Sequence, residues 1–323
     1  MGNSLLITGG TGFFGLALLR NLTRQKKRFF ESVTILSRDP SRLQKKHPDL
    51  TSHCRWVEGD LLKPETLPYD DHFTHILHAG AESSSLRAQP TKHRYSSIVK
   101  GTSHMLQLAR STCVEKFMFV SSGAVYGAQP ASLGAIDETR GTASQMEIAA
   151  DPYVAGKIES ERLTREFGLQ NRVQIAIARC FSFTGIDLPL QSRFAVSNFV
   201  QSALFGDVIE VNGDGNALRS YMDQSDLARW LLALLSANTE HEIYNVGGHL
   251  PITVLELASL VRDLLAPEKP IAVRGGLRSS EKKYYVPNNE RIKKELRIEQ
   301  VVTLPEAINK MALAHMKQNG DAK

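Results

Sequence analysis

Short apolar runs alternate with amphipathic stretches through the first half of this 323-residue chain. The runs are rich in branched and aromatic residues and end at polar breaks, which predicts β-strands at 5–7, 33–36, 55–57, 74–78, 116–121 and 173–179. Helical patterns lie between them at 13–25, 91–111 and 152–167. Alternating strands and helices indicate βαβ units, so we expect an α/β fold with a doubly wound parallel sheet covered by helices on both faces.

The pattern changes after residue 179. Glycines and turn residues cluster in GDVIEVNGDGN and VGGHLP, and the helices predicted at 224–235 and 254–265 follow irregular segments. We therefore expect a first domain over residues 1–180. Residues 181–323 should form mainly a smaller C-terminal α/β domain, with some segments that return to the first.

Composition excludes several classes of function. No apolar run approaches the ~18 residues of a spanning helix, and the first four residues lack the basic start of a secretory leader. Cys54, Cys113 and Cys180 are widely spaced, which predicts reduced, mostly buried thiols rather than disulfides or metal ligands. The net charge of +5 is spread out and forms no basic face for nucleic acid, although it suits a polyanionic small substrate. We expect a cytoplasmic protein with no membrane, nucleic-acid or metal partner.

The stretch TGGTGFFG at 8–15 follows a predicted strand and opens a predicted helix, which is the context of a dinucleotide-binding turn. Gly9 would permit the tight turn, Gly12 the approach of main-chain N–H groups to a pyrophosphate, and Gly15 close packing of the helix on the sheet. The helix N-terminus supplies partial positive charge. By itself the stretch also fits an ordinary glycine-rich turn.

Tyr153 and Lys157 lie four residues apart at the start of a predicted helix, and so on one face. A lysine beside a tyrosine lowers the phenol pKa, which would make Tyr153 an acid/base near neutral pH. Upstream, FVSSGAVYG ends the fifth strand and brings Ser121 and Ser122 to the carboxyl edge of the sheet, where doubly wound folds bind ligands.

These motifs occur together with EGDL at 58–61, HAGAES at 78–83, SSGAVYG at 121–127, ARCFSFTG at 178–185, VNGDGNALRSYMDQSDLA at 211–228 and RSSEKKYYVPN at 278–288. The chain therefore resembles the extended short-chain dehydrogenase/reductase family, in its nucleotide-sugar epimerase/dehydratase branch. The resemblance implies a Rossmann-type sheet domain for the dinucleotide and a smaller domain for a nucleotide-diphosphate sugar. The helices at 91–111 and 152–167 resemble those of a four-helix dimer interface, so we expect a homodimer.

The resemblance assigns catalysis to Ser122, which orients the substrate oxygen, Tyr153 as acid/base and Lys157, which holds the nicotinamide ribose. Asp60 matches the residue that receives the adenine amino group, although it could be a plain turn residue, and His78 could be a core histidine. The implied cofactor-binding residues are Gly9, Gly12, Phe13, Phe14, Gly15, Ser37, Arg38, Asp60, Leu61, His78, Ala79, Gly80, Ser97, Tyr153, Lys157 and Phe181.

In the second half, Arg219 and Arg278 match two arginines that such enzymes place on the diphosphate and nucleotide, and a guanidinium fork suits phosphate oxygens. Two surface arginines are the alternative. Glu281 takes the position of an Asp near the ribose. The implied substrate-binding residues are Glu82, Ser83, Ser122, Ser182, Arg219, Arg278 and Glu281.

Departures from the family pattern bear on the reaction. Ser182 and Ser97 replace asparagines, although a hydroxyl could form similar hydrogen bonds. The 4,6-dehydratases follow their catalytic Thr with Asp-Glu, and related decarboxylases keep a Glu, whereas Gly123 and Ala124 follow Ser122 here and cannot transfer protons. That leaves hydride removal and return, which is epimerisation, or hydride delivery to a ketone, which is reduction.

The end of the second predicted strand reads SRDP. An acidic residue there holds the ribose of NAD, whereas an arginine accommodates the 2′-phosphate of NADP. Ser37 and Arg38 favour NADP, and Asp39 turned inward would favour NAD. We predict an NAD(P)-dependent nucleotide-diphospho-sugar epimerase acting at hexose C4, in polysaccharide biosynthesis if the family pattern holds. The alternatives are an NADPH-dependent 4-keto-6-deoxy nucleotide-sugar reductase, a less favoured 4,6-dehydratase, and a non-catalytic dinucleotide-sensing protein.

Overall fold

A computed structural model describes residues 2–25, 29–80, 93–192, 194–275 and 283–320. The strands are β1 (Ser4–Thr8), β2 (Ser32–Ser37), β3 (Arg55–Glu58), β4 (His75–His78), β5 (Lys116–Ser122), β6 (Gln174–Cys180), β7 (Phe183–Thr184), β8 (Ile209–Val211), β9 (Leu218–Arg219), β10 (Met222–Asp223), β11 (Ile243–Val246), β12 (Ile252–Thr253), β13 (Ile271–Val273) and β14 (Tyr284–Tyr285). The helices are α1 (Phe13–Arg24), α2 (Pro40–Lys46), α3 (Pro48–Thr51), α4 (His93–Ser111), α5 (Gln145–Ala150), α6 (Pro152–Asn171), α7 (Ala195–Phe205), α8 (Gln224–Ser236), α9 (Val254–Leu265), α10 (Glu290–Leu296) and α11 (Leu304–Gly320).

The main sheet has seven parallel strands in the order β11-β6-β5-β4-β1-β2-β3. All six strands predicted from the sequence are present, and the α/β, Rossmann-type fold is confirmed. The strand order reverses beside β1, between β2 and β4. At such a switch point the loops after the strands separate and leave a crevice at the carboxyl edge, which is where ligands bind in this architecture.

Helices cover both faces of the sheet. Helix α1 packs with α8 on one face, and α4 packs with α6 on the other. Successive residues of a strand point to opposite faces, so Leu5 and Ile7 enter the core beneath α1 and α8, whereas Leu6 enters the core with Phe117. Because both faces are covered, apolar side chains of the strands lie on both faces of the sheet, as expected for a parallel sheet.

A second core lies in the C-terminal part of the chain, where α7, α9 and α11 pack around β8. A small three-stranded sheet, β12-β9-β14, pairs Leu218–Arg219 with Tyr284–Tyr285. Strand β11 lies beyond residue 180 in sequence but is an edge strand of the main sheet. The division into domains at residue 180 stays a prediction.

The three cysteines, all of which the structure describes, form no disulfide. Cys180 is buried and Cys54 half-buried, but Cys113 is exposed, so the expectation of mostly buried thiols is wrong for this residue. Cys113 follows the end of α4 with a φ of 53°, a turn position on the surface.

Within the described ranges, no helix combines the length and apolar character needed to cross a bilayer.

Candidate active site at the carboxyl edge of the sheet

In the turn between β1 and α1, contacts within the chain require glycine at two positions. Gly9 has a φ of +76°, and a Cβ there would lie 2.7 Å from the main-chain oxygen of Ala79. A Cβ on Gly15 would lie 2.2 Å from the carbonyl carbon of Gly10. Gly15 therefore lets α1 approach the main chain of the turn, and its part in packing the helix on the sheet stays a prediction.

Gly12 is different. Among the described residues, a Cβ at this position would meet only the oxygen of Gly9, at an ordinary 3.5 Å. Gly12 is exposed and directly precedes α1, whose N-terminus has no cap from a described side chain. Nothing in the surrounding chain requires glycine here, whereas a phosphate held by the free N–H groups would. The turn thus fits a dinucleotide.

The rings of Phe13 and Phe14 pack within the protein. They contact each other edge to face with centroids 5.9 Å apart, and Phe14 contacts Phe183 at 5.4 Å. Any contact of these two residues with a pyrophosphate would therefore come from their main-chain N–H groups at the start of α1.

The end of β4 lies against this turn. The N–H of Gly80 donates to Thr8 Oγ1 at 2.9 Å. The buried ring of His78 lies between Thr8 and Thr102, with Nδ1 2.8 Å and Nε2 3.3 Å from their hydroxyls. Burial, with a smaller effect from Lys157, lowers the pKa of His78 to about 3. The ring is a neutral core group, so a cofactor contact by this segment would use its main chain.

Asp60 and Leu61 lie next to the same turn. One carboxylate oxygen of Asp60 accepts from the N–H of Leu62 at 2.9 Å, which makes it a turn-forming residue in this structure. The side chain of Leu61 packs on Gly80, where an added Cβ would lie 2.8 Å from Leu61 Cδ1. The hydroxyl of Ser97 donates to the main-chain oxygen of His93 in its own helix. Cofactor roles for Asp60, Leu61 and Ser97 stay predictions.

At the end of β2, Asp39 caps α2. Its carboxylate accepts from Ser41 Oγ at 2.8 Å and from the N–H of Arg42 at 3.2 Å, and these hydrogen bonds lower the pKa of Asp39. Ser37 Oγ accepts from the N–H of Asp39 at 3.2 Å, and Arg38 is exposed. Turning Asp39 toward a ribose would break this cap.

The catalytic residues predicted from the sequence meet where β5 ends. Asp151 accepts from the N–H of Tyr153 at 2.8 Å and caps α6, and Pro152 occupies the first helical position, so Tyr153 lies in the first turn. Lys157 follows one turn later. Ser122 ends β5, accepts from the N–H of Ala124 at 3.2 Å and is near enough to Tyr153 to lower the pKa of that phenol.

The expected depression of the Tyr153 pKa is wrong for the cofactor-free chain. Burial raises the pKa of Tyr153, and this outweighs the lowering by the Ser122 hydrogen bond and by the charge of Arg94. The Lys157 ammonium lies 5.8 Å from the Tyr153 ring centroid and donates to the main-chain oxygen of Val120 at 2.7 Å. Burial lowers the pKa of Lys157 itself to about 8.

Only one of the two serines faces the site. Ser121, which points to the other side of the strand, donates to a carboxylate oxygen of Glu161 at 2.5 Å. Glu161 also pairs with Arg179 at 2.7 Å, and all three side chains are buried. This network ties α6 to β5 and β6 behind the catalytic residues.

Two residues near the site were missed from the sequence. Tyr285 is near enough to Ser122 for the serine to affect its pKa, and its ring packs on Phe181 with centroids 4.7 Å apart. The guanidinium of Arg94 lies 5.5 Å from the ring centroid of Tyr153. Tyr285 stands within the quoted stretch RSSEKKYYVPN, which could have marked it, whereas no sequence signal marks Arg94.

The predicted substrate-binding residues fall into two groups. Arg219 is half-buried on β9, 5.5 Å from the Tyr285 ring, and its guanidinium donates to the main-chain oxygen of Leu218 at 2.8 Å. Ser182 is half-buried, and its main-chain oxygen accepts from Met222 at 3.1 Å. Glu82, Ser83, Arg278 and Glu281 lie outside the described residues, and the substrate roles stay predictions.

Comparison with known proteins places this geometry in context. UDP-glucuronic acid decarboxylase 4 from Arabidopsis thaliana is 28% identical over 273 residues, which cover 84% of this chain and 59% of that protein. UDP-glucose 4-epimerase from Thermotoga maritima shares the fold with a TM-score of 0.83 at 20% identity, with 98% of this chain and 99% of the other covered. The dTDP-glucose 4,6-dehydratase of Bacillus anthracis, solved with NAD, has a TM-score of 0.82 at 21% identity, with 99% and 98% covered.

These similar proteins carry names of three different reactions, so the likeness does not select among them. The match to the family itself covers most of the chain, since residues 5–247 fit the profile of the NAD dependent epimerase/dehydratase family. With its dinucleotide-type turn and its serine, tyrosine and lysine at the carboxyl edge, the chain belongs to the NAD dependent epimerase/dehydratase family.

Proposed function

We propose that the protein is an NAD(P)-dependent epimerase that acts at C4 of the hexose of a nucleotide-diphosphate sugar. The observation that carries this proposal is the effect of Ser122 on Tyr153, whose pKa it lowers, together with the buried Lys157 one helical turn from that tyrosine. The hydroxyl pair lies at the carboxyl edge of the sheet, the edge that also carries the glycine turn.

The described residues suit the parts of a dinucleotide. The turn from Gly9 to Gly12 and the start of α1 would hold the pyrophosphate, and Lys157 would hold the nicotinamide ribose. When bound, the dinucleotide supplies a hydride acceptor and donor. The Tyr153 oxygen, as phenolate, takes the proton of the sugar hydroxyl while Ser122 hydrogen-bonds the same oxygen, and Tyr153 returns the proton when the hydroxyl re-forms.

Elimination of water or carbon dioxide would need an acid that this site lacks at the family position. Ser122 is followed by Gly123 and Ala124. A Cβ on Gly123 would lie 2.9 Å from the ring atoms of Phe181, so an acidic side chain there would displace that ring. This packing supports epimerisation or reduction over dehydration or decarboxylation.

A ketone reductase that uses NADPH is the second candidate, and the end of β2 favours it. Asp39 caps α2, while Arg38 is exposed and available for a 2′-phosphate. The two candidates differ in what they consume. An epimerase interconverts two sugars without net use of the dinucleotide, whereas a reductase oxidises one NADPH for each 4-keto sugar.

The test is incubation of the protein with UDP-, dTDP-, GDP- and CDP-hexoses and with their 4-keto forms, each with NAD or NADP, followed by chromatography of the products. Epimerised hexose without net cofactor turnover supports the proposal. Stoichiometric NADPH oxidation by a 4-keto sugar supports the reductase. Formation of a 4-keto-6-deoxy sugar, or of carbon dioxide from UDP-glucuronic acid, would contradict both.

Replacing Tyr153 with Phe tests the role of the hydroxyl. We expect kcat to fall about 10²–10⁴-fold, the contribution of a positioned acid/base, while dinucleotide affinity stays within about twofold. Tyr69→Phe, at an exposed tyrosine, is the matched control. Unchanged turnover in the Tyr153 variant would contradict the assignment, and a protein that binds dinucleotide but never turns over sugar would instead be a sensor.

We also propose a homodimer formed through α4 and α6, which pack side by side. Light scattering checks this, and a monomer at micromolar concentration would contradict it.

A further inference from the structure

Two cations flank the ring of Tyr153. The Lys157 ammonium, from α6, lies 5.8 Å from the ring centroid, and the Arg94 guanidinium, from α4, lies 5.5 Å from it. Arg94 is only 6% exposed, which is rare for an arginine. Arg94 is therefore a buried cation beside the tyrosine, and it is not among the residues that the sequence motifs marked.

We propose that Arg94 is a positioning residue that holds the Tyr153 ring and stabilises the negative charge of its phenolate. A cation over the ring face is attracted by the ring and still more by a phenolate oxygen. The proposal rests on the role of Tyr153 as the acid/base group in the proposed function. It adds a second helix to the catalytic machinery, since α4 would supply a charge to a residue of α6.

The surroundings of Tyr153 indicate why arginine matters here. Within the described part of the chain, the titratable and charged groups near it are Arg94 from α4, Asp151 from the start of α6, Lys157 from α6, Cys180 from β6 and Tyr285 from β14. Burial keeps the thiol and the second phenol neutral, because it raises the pKa of Cys180 and of Tyr285.

The two cations differ in how long they keep their charge as pH rises. The pKa of Lys157 is lowered to about 8 by burial, so this amine loses its proton before a tyrosine of raised pKa ionises. An arginine stays protonated throughout. Among the described groups around Tyr153, Arg94 is thus the cation that is still present when the phenolate forms in the cofactor-free chain.

The experiment is a tyrosinate titration of the cofactor-free protein by ultraviolet absorbance, recorded after rapid pH jumps so that spectra precede alkaline unfolding. Each protein is measured beside a variant of it that also carries Tyr153→Phe. The difference between the two absorbance curves gives the titration of Tyr153 alone among the eight tyrosines. We expect Arg94→Gln to raise the Tyr153 pKa by about one unit, which is tenfold less phenolate at a given pH. Arg94→Lys should restore most of the shift, and Lys100→Gln, at an exposed position of α4, should leave the pKa unchanged.

An unchanged Tyr153 pKa in folded Arg94→Gln would overturn the proposal. If that variant does not fold, Arg94→His, neutral at the pH of the titration, takes its place with the same expected rise. With substrate, the acid limb of the plot of kcat against pH should move to higher pH by the same amount in Arg94→Gln. If kcat falls but the limb does not move, Arg94 has a packing role only, and this result would also overturn the proposal. The titration needs neither cofactor nor turnover, so its result is independent of whether the proposed epimerase activity is found.

Discussion

The glycine turn after β1 and the surroundings of Tyr153 lie at the same edge of the sheet but are built in opposite ways. The turn is formed partly by neighbours in sequence, with Gly15 against Gly10, and partly by contacts to the adjacent strands, such as that from Gly9 to Ala79 after β4. Tyr153 is surrounded by Arg94, Ser122 and Tyr285, which come from three different parts of the chain.

Local sequence can determine the first kind of region more fully than the second. A glycine in the left-handed region acts through the geometry of its own main chain, so its pattern is visible in sequence. A pKa depends on how much water and which charges surround a group, and these are set by the packing of distant segments. The predictions below test whether the two regions differ in this way.

The largest effect is expected in the turn. Gly15→Ala should lower the free energy of unfolding by about 2–3 kcal/mol, because the methyl group would lie 2.2 Å from main-chain atoms of Gly10 that cannot move aside cheaply. Urea unfolding of the cofactor-free protein measures this. Gly141→Ala is the matched control, since an added Cβ there meets no described atom within 4 Å, and its effect should stay within about 0.5 kcal/mol. Equal stability of the two variants would show that the turn is not fixed by local contacts.

The second largest effect is expected at Gly12 of the same turn, on dinucleotide affinity rather than on stability. Gly12→Ala should change the free energy of unfolding by less than about 1 kcal/mol, because its methyl group meets only the Gly9 oxygen at 3.5 Å. Its affinity for NAD or NADP should fall at least about tenfold, because the methyl group would occupy the approach of the pyrophosphate. Calorimetric titration of both dinucleotides measures this, with Gly141→Ala again as the control. Affinity equal to that of the wild type would remove Gly12 from the binding site.

The features that could be predicted from the sequence are those that local pattern determines. The six strands, their parallel arrangement and the placement of Tyr153 and Lys157 one helical turn apart were predictable, because hydrophobic periodicity and a four-residue spacing determine them. Strand β11 was not, since four residues from 243 to 246 carry too little pattern to identify an edge strand of the main sheet. The raised pKa of Tyr153 and the contact with Arg94 depend on how α4 packs against α6, which no local pattern reveals.

The smallest predicted effect tests the second region through Lys157. Burial lowers its pKa to about 8 in the folded chain, whereas an unfolded lysine titrates near 10.4. Between these values the unfolded state binds more protons, so raising the pH favours the folded state. From pH 7 to pH 9, the free energy of unfolding of the wild type should rise by about 1 kcal/mol relative to Lys157→Met.

Urea unfolding of the cofactor-free proteins across this range measures the difference, and Lys100→Met, at an exposed lysine, should show no pH-dependent difference from the wild type. A constant gap between wild type and Lys157→Met would mean that Lys157 titrates like an exposed amine. The charge of Lys157 beside Tyr153 would then depend on the four-residue spacing alone. The two regions would no longer differ in the way described above at this residue, which lies beside the proton-transferring tyrosine. A gap that changes with pH would instead show that burial, set by distant segments, decides when this ammonium is charged.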